Sequence, residues 1–341
     1  MKLSIITTVY KAEQDLPRLL DSMMAQKAPE LEFFLIDNGS PDRCGEICRE
    51  YAAKDPRFTI YTLEENIGYI RARNLGIEVC DGDYIGFCDS DDYLEPGGYD
   101  RAVEKIKETD CDFYIGSYRT VRGEARTDYA QPYAIGLYEG PRIAEVILPQ
   151  LFGSVRGKPS LMAFEWKHIF RRELLLERQL RFLTDIKPYE DQIFNLDAAR
   201  AAERIYVDDV ILYNYVQNSA SITAQINSNF SPEEEYARLL RVYEEKRMRA
   251  WTDVMECHIY SSILRWLRVI AINMVRCCPG SSLELGRRFA AFSNPELSER
   301  VAKHAPRGDS LELTFIRLCL KWKQHWLIFL AMKAATKIKG A

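Results

Sequence analysis

Short apolar-rich stretches mark strands through the first quarter of the chain: Leu3–Tyr10, which is β-branched, Leu31–Ile36, Phe58–Leu63, and Tyr84–Cys88, an unbroken apolar run. Runs without alternation predict strands covered on both faces, the signature of a parallel sheet. Between them the pattern changes period. Residues 13–26 carry Leu16, Leu19, Leu20, Met23 and Met24 on one helical face, a second helix starts at Pro41-Asp42, and a third runs from Asn66-Ile67-Gly68 through Ile77. This β-α-β-α-β-α-β alternation with short links predicts an α/β fold with a parallel, doubly wound sheet. Right-handed crossovers then place the carboxyl ends of all these strands on one edge. Three polar clusters converge there: Thr8–Tyr10, Asp37–Ser40 and Asp89–Asp92.

Beyond Pro96 the pattern predicts a helix to about Glu108, a strand from Cys111 to Tyr118, and a hairpin or loop over 119–140. Helices are expected over Ile143–Phe152 and over an Arg-rich stretch, Glu165–Leu180. Another follows Tyr189, with Glu190 and Asp191 at its start, where the helix dipole favours carboxylates. Ile205–Val207 and Val210–Tyr215 read as two short strands, and 232–341 is almost entirely helical in pattern.

Charge divides the chain in the same place. Residues 1–225 hold 27 Lys and Arg against 38 Asp and Glu, a balance of −11; residues 226–341 hold 19 against 12, a balance of +7. We therefore expect an acidic domain over 1–225, which the resemblance given below makes the catalytic one, and a helical extension over 226–341. Nine cysteines, an odd number without a repeated CxxC pair, read as reduced thiols of a cytosolic protein. The four histidines are scattered, which gives zinc no support. The opening strand leaves no room for a signal peptide, and no apolar stretch reaches the ~18 residues of a spanning helix.

The candidate chemistry lies in Asp83-Tyr84-Ile85-Gly86-Phe87-Cys88-Asp89-Ser90-Asp91-Asp92. Three carboxylates at the end of a buried strand repel one another, and a hard divalent cation compensates them while recruiting phosphate oxygens. A solvated Asx turn is the plainer alternative. The first strand is followed by Tyr10-Lys11-Ala12-Glu13, which is neither a dinucleotide fingerprint nor a P-loop.

Four motifs in order are similar to family 2 glycosyltransferases. They are Ser4–Lys11, Leu35–Asp42, Asn66–Ile77 and Asp83–Asp92, and the resemblance covers about residues 2–223. It implies the GT-A fold, a Rossmann-like, mostly parallel sheet, here with a C-terminal helical extension. It also implies inverting transfer from a nucleotide-sugar, taken as a UDP-sugar, to a glycan or lipid-linked hydroxyl. On this resemblance Thr8, Val9, Tyr10, Glu13, Asp37, Asn38, Gly39, Asn66, Gly68, Arg73, Asp89 and Ser90 surround the donor. Asp91, with Asp89, holds Mg²⁺ or Mn²⁺. Asp191 is the base, with Glu190 as fallback. Trp166-Lys167-His168-Ile169-Phe170-Arg171-Arg172 resembles a family segment in which Lys is common where His168 stands, so Lys167 or His168 approaches the acceptor or diphosphate, or His168 packs inside a helix. Gln217 and Asn218 replace a basic residue often found in the loop that closes over the donor.

The resemblance ends near residue 225. From Leu311 to about Lys339 the sequence predicts a basic amphipathic helix. Phe315, Leu318, Cys319, Trp322, Trp326, Phe329 and Leu330 lie on one arc, as in an interfacial anchor. The alternative is a helix packed on its own bundle. An anionic membrane is thus an expected partner and nucleic acid is not, because the basic charge is sparse. By family analogy this places the protein peripherally on the inner face of the cytoplasmic membrane, in cell-surface polysaccharide or lipopolysaccharide assembly. Two rivals stay open: an inactive nucleotide-sugar-binding scaffold, and a sugar-1-phosphate nucleotidyltransferase.

Overall fold

A computed structural model of the chain describes residues 1–129, 131, 133–152, 164–187, 189–217, 230–250, 252–305 and 310–339. It divides into two compact units, Met1–Ile147 with Ala163–Asn218, and Leu148–Met162 with Ser219–Ala341.

In the first unit β1 (Leu3–Val9), β2 (Leu31–Asn38), β3 (Phe58–Leu63) and β4 (Tyr84–Asp89) form the parallel half of the sheet in the order β3-β2-β1-β4. Every residue of β2 is buried, and in β1 and β4 only Thr8 and Asp89 are half-exposed. That double burial is why these strands are rich in apolar residues on both faces. Edge strand β3 is the exception, with Thr59, Tyr61 and Thr62 open to solvent. Helices α1 (Leu16–Met24), α2 (Cys44–Ala52) and α3 (Tyr69–Val79) make the crossovers. α1 turns Leu16, Leu19, Leu20 and Met23 inward.

The other half of the sheet is mixed. It contains β5 (Tyr93–Leu94), β6 (Phe113–Arg122), β7 (Ala125–Tyr129), β8 (Gly136–Glu139), β9 (His168–Arg171) and β10 (Arg204–Val216), with α4 (Gly98–Thr109) crossing from β5 to β6. The main order continues β4-β9-β6-β10-β5, with β7 on β6 and β8 on β10.

Two expectations are corrected here. Glu165–Leu180 is not one helix: Glu165–Lys167 is a single 3₁₀ turn, β9 follows, and only Arg172–Glu177 (α6) is helical. β9 lies antiparallel between β4 and β6, with Ile169 opposite both Gly86 and Tyr114. Its Ile169 and Phe170 are both fully buried, on opposite faces, which a helix with one wet side could not achieve. The two short strands near residues 205–215 are one strand, β10, whose register on β6 shifts between Val207 and Tyr213. The intervening Asp208-Asp209 suggested a break and is a bulge.

The second unit contains α5 (Leu148–Phe152), α8 (Pro232–Arg249), α9 (Asp253–Cys277), α10 (Ser282–Phe292), α11 (Pro295–His304), α12 (Leu311–Lys321) and α13 (His325–Lys339). α9 is its axis, packing on α5, α8, α11, α12 and α13 through residues such as Ile263, Leu267, Ile270 and Met274. Five helices begin on a capping side chain: Ser231, Thr252, Ser281, Asn294 and Ser310. Each such cap contributes about 0.5–2 kcal/mol. Gly286 lets α10 approach α13 closely, since a Cβ there would lie 2.6 Å from the Trp326 backbone.

The single helix expected from Leu311 is instead two. It breaks at Trp322–Gln324, where Lys323 adopts φ 56°. The apolar arc is split by that turn. Cys319 and Phe329 are buried in the bundle, whereas Leu311, Phe315, Trp322, Trp326 and Leu330 remain exposed. Among the described residues, no helix is long and apolar enough to cross a membrane.

Candidate active site

Register brings the polar strand ends together. Val9 pairs with Asp37, and Thr8 pairs with Asp89, so the tips of β2, β1 and β4 are neighbours. The loops above them are tied by short hydrogen bonds. Ser40 N donates to Asp37 Oδ1 at 3.1 Å, and Lys11 N donates to Ser40 Oγ at 2.8 Å. Glu13 Oε2 accepts from Arg43 N at 3.1 Å, which fixes it at the start of α2. Asp37 is buried, and its Oδ2 sits where a Cβ on Gly45 would be, 2.6 Å away, so the carboxylate lies against the first turn of α2. Tyr10 projects from the end of β1, 39% exposed.

Asn38 and Asn66 act on the loop before α3. Asn38 Oδ1 accepts from Ile67 N at 3.0 Å, and Asn66 Oδ1 accepts from Gly68 N at 2.8 Å and Asn38 Nδ2 at 3.4 Å. Gly39, at φ 64°, passes so close to this loop that a Cβ would lie 2.5 Å from the Glu65 carbonyl carbon. Gly39 therefore serves backbone approach. Gly68, at φ 86°, caps α3 with open space around it.

Arg73 is the hub. It is buried, it pairs with Asp89, and its Nη1 lies 2.6 Å from Glu165 Oε1 and 3.8 Å from Glu190 Oε1. Burial works against its charge, but Glu165, Asp89 and Glu190 outweigh that and raise its pKa. The rings of Tyr69 and Phe182 flank the guanidinium at 5.1 and 5.8 Å. Tyr69 Oη donates to Glu190 Oε1 at 2.7 Å. Tyr69 and Arg73 are one turn apart on α3, so both reach the start of α7 (Glu190–Ala201) from the same helix face.

One guanidinium faces more carboxylate than it can neutralise. Burial raises the Glu165 carboxyl to about 7, although Arg73 pulls it down. Asp191 is pushed well above the usual carboxylate range by burial first and then by Glu165 and Glu190. It accepts a hydrogen bond from Gln192 N at 2.7 Å. α7 starts from Tyr189 at φ 97°, a left-handed conformation in a non-glycine residue.

The three aspartates after β4 differ. Asp92 is buried, accepting from Tyr213 Oη at 2.7 Å and Val216 N at 2.6 Å, so both of its oxygens serve the fold. Asp89 N donates to the same Tyr213 hydroxyl at 3.0 Å. Asp89, Ser90 and Asp91 are half-buried at the open edge, and the Asp91 carbonyl accepts from Arg18 Nη2 at 2.5 Å. Among the described residues no three His, Cys, Asp or Glu side chains form a cluster able to hold a cation alone. Two carboxylates with hard oxygens do fit Mg²⁺ or Mn²⁺ shared with substrate phosphates, the usual arrangement for these ions.

Lys167 and His168 lie inside. Lys167 is 3% exposed, its Nζ 5.9 Å from the Tyr118 ring centre, and burial lowers its pKa to about 7. His168 is fully buried in β9, edge-on to Phe113 and Phe170, with Nδ1 3.0 Å from Asn195 Oδ1. Burial and Lys167 keep its ring neutral. It packs in a strand, not in a helix. Asn218 falls outside the described residues, and Gln217 donates its N–H to the Val121 carbonyl at 2.8 Å. Glu165, Tyr69 and Tyr213 were not singled out in the sequence. Only Tyr213 carried a signal there, as one of alternating aromatics on a strand.

Comparison with known proteins follows this geometry. Residues 4–175 match the family model described as glycosyl transferase family 2. The chain is 28% identical over 353 residues to the "Uncharacterized glycosyltransferase EpsJ" of Bacillus subtilis (strain 168), covering 99% of this chain and 97% of that one. Its fold matches the S. aureus TarS 1–349 crystal structure in complex with UDP-GlcNAc, with a TM-score of 0.72 at 19% identity over 98% of this chain and 92% of that one. A more distant fold match is the mannosyltransferase PcManGT of Pyrobaculum calidifontis, in complex with GDP-Man and Mn2+, with a TM-score of 0.53 at 15% identity over 98% of this chain and 86% of that one.

Proposed function

Since the chain belongs to glycosyl transferase family 2 and is a glycosyltransferase, we propose that it moves a sugar, with inversion, from a UDP-sugar to a hydroxyl of a glycan or lipid-linked acceptor. The observation that carries this reading is the Arg73 bridge: it links Asp89 on the donor side to Glu190, beside Asp191, on the acceptor side. The TarS complex with UDP-GlcNAc supports UDP as the nucleotide.

In this mechanism the nucleotide lies over the tips of β1, β2 and β4, framed by Thr8, Val9 and Tyr10, with Asp37 accepting the base N–H. Asp91 and Asp89 would hold Mg²⁺ or Mn²⁺, the ion named with PcManGT being Mn2+, and it would supply positive charge against the departing diphosphate. Asp191 takes the proton of the acceptor hydroxyl. The acceptor oxygen bonds to the anomeric carbon as the carbon–oxygen bond to the diphosphate breaks on the opposite face. Asp191 suits the role better than Glu190, whose Oε1 is taken by Tyr69 and faces Arg73. Burial makes Asp191 a strong proton acceptor once ionised.

The exposed Leu311, Phe315, Trp322, Trp326 and Leu330, with exposed Lys321 and Lys323, support contact of the second unit with an anionic membrane surface. A lipid-linked acceptor on the inner face of the cytoplasmic membrane, in surface-polymer assembly, accords with that. Trp322→Ala/Trp326→Ala is expected to reduce co-sedimentation with vesicles containing phosphatidylglycerol, and equal binding would remove the membrane from this account.

The test of the reaction is release of nucleoside diphosphate from UDP-, GDP- and dTDP-sugars with Mn²⁺ or Mg²⁺. We expect metal-dependent release from one UDP-sugar, lost in Asp91→Ala and Asp191→Ala. Wild type and variants equally inert, with lipid acceptors added, would favour an inactive nucleotide-sugar-binding scaffold.

A further inference from the structure

The active edge continues sideways into an aromatic surface that the donor and base residues do not use. Register lays two rows across β10, β6 and β7. Tyr213 pairs with Tyr118, which pairs with Tyr129; Tyr215 pairs with Thr120, which pairs with Thr127. Paired residues, and residues two apart on one strand, share a sheet face, so both rows lie on the same side. Trp166 stacks on Tyr213 at 4.3 Å, and Phe164 stacks on Trp166 at 4.7 Å. Tyr129 stacks on Tyr118 at 4.6 Å and 3°. Tyr118 stands edge-on to Trp166 at 76° and to Phe164 at 81°. The rings thus form two walls at nearly right angles.

One end of this corner is anchored in the active edge, where the Tyr213 hydroxyl meets Asp92 and the Asp89 N–H. The other end opens to solvent. Tyr129 is 40% exposed and Phe164 and Tyr215 are half-buried, whereas Trp166, Tyr118 and Tyr213 are buried behind them. Core aromatics explain the inner rings. They do not explain a tyrosine laid flat on a strand whose five residues are all exposed.

We propose that Tyr129, Phe164 and Tyr215, with the Thr120 and Thr127 hydroxyls beside them, form an acceptor subsite that binds a pyranose ring. The negative π-face of an aromatic ring attracts the weakly positive C–H groups on the flat side of a pyranose. The threonine row supplies donors and acceptors for the ring's hydroxyls. The mixture favours a sugar over an acyl or isoprenoid chain, which would have no use for the hydroxyl row. The subsite lies one or more residues back along the glycan from the hydroxyl that reacts. This proposal rests on the transferase reading above and adds which part of the acceptor is held, and where.

The test separates the two. Saturation-transfer NMR on the full chain needs no turnover. With methyl β-D-glucopyranoside and N,N′-diacetylchitobiose as probes, saturation is expected on the ring C–H protons. It is expected to fall in Tyr129→Ala and to persist in Tyr129→Phe and Tyr129→Trp. Octyl β-D-glucopyranoside below its micelle concentration tests the rival occupant. Saturation confined to the octyl chain would overturn the sugar subsite, as would no ring saturation with any probe, or ring saturation unchanged in Tyr129→Ala. In turnover assays Tyr129→Ala is expected to raise acceptor KM about 3–10-fold, with kcat and acceptor-free donor hydrolysis unchanged. Loss of donor hydrolysis in wild type would sink the transferase reading and leave the NMR result standing. Because Tyr129 is exposed on an edge strand, Tyr129→Ala is expected to fold, with Tm lowered only by loss of the stack on Tyr118.

Discussion

The two halves of the active edge use carboxylates in opposite ways. On the β1, β2 and β4 side, Asp37 and Glu13 are oriented by backbone N–H groups of their own and neighbouring loops, Ser40 and Arg43. Where Glu165, α3 and α7 meet, Glu165 and Glu190 are buried around Arg73, with the half-buried Asp191 next to Glu190 in the chain. The first arrangement is complete without a ligand and costs little to keep. The second holds more negative charge than one guanidinium balances, so a proton makes up part of the difference until substrates arrive. The edge is therefore rigid where we propose that it reads a nucleotide and electrostatically unfinished where we propose that it takes a proton.

Four experiments break or sharpen this contrast. The largest effect belongs to Asp191→Asn, expected to cut transfer by about 10²–10⁴-fold, with the folded state no less stable, since a carboxyl held toward its neutral form is replaced by a neutral isostere. Retained transfer would move the base to Glu190. Next is Asp92→Ala, which strips partners from the Tyr213 hydroxyl and Val216 N–H and is expected to cost about 1–3 kcal/mol of stability. If it instead weakened Mn²⁺ dependence without lowering Tm, Asp92 would be a ligand.

A smaller effect is read in Tm against pH. Glu165 rises from 4.5 to about 7 on folding, so the native state binds the extra proton and stability falls as pH climbs through that window. Lys167 falls from 10.5 to about 7, so the unfolded state binds the extra proton and stability recovers as pH climbs from 7 to 10.5. Residues two apart in the chain thus give opposite slopes meeting near neutrality. Glu165→Gln is expected to flatten the acid limb and Lys167→Met the alkaline limb, by thermal melts in metal-free buffer. The smallest expected change is in the transfer rate of Lys167→Met, which should stay within about two-fold because the amine is buried away from the edge. A large loss would mean that Lys167 reaches the acceptor.

The β1, β2 and β4 side of the edge was legible because its constraints are local. A buried parallel strand must be an apolar run, and a loop that folds back on itself must spend Asp, Asn, Gly and Ser within a few residues. The β1–β4 strands and the loops after β1, β2 and β4 followed from that alone. The other side was not, because it is assembled over long separations. Nothing around Glu165 marks it as buried; it is so only because β9 carries it to Arg73, 92 positions earlier in the chain. β9 itself has four residues, too few for period to separate strand from helix. In the tail, periodicity followed the amphipathic residues but could not register the turn at Lys323, since no glycine or proline stands there.

The position of β9 also bears on how the protein is made. β4 is a buried, apolar strand, and its neighbour on one side is β1, synthesised long before it. Its neighbour on the other side is β9, which the ribosome reaches roughly 80 residues later, about 4–16 s at ordinary elongation speeds. Through that interval a nascent β3-β2-β1-β4 sheet presents the unpaired rim of a buried apolar strand, an inviting template for other chains. Slowing translation between Asp89 and His168 should therefore lower soluble yield, and a chaperone that shields strand edges should restore it.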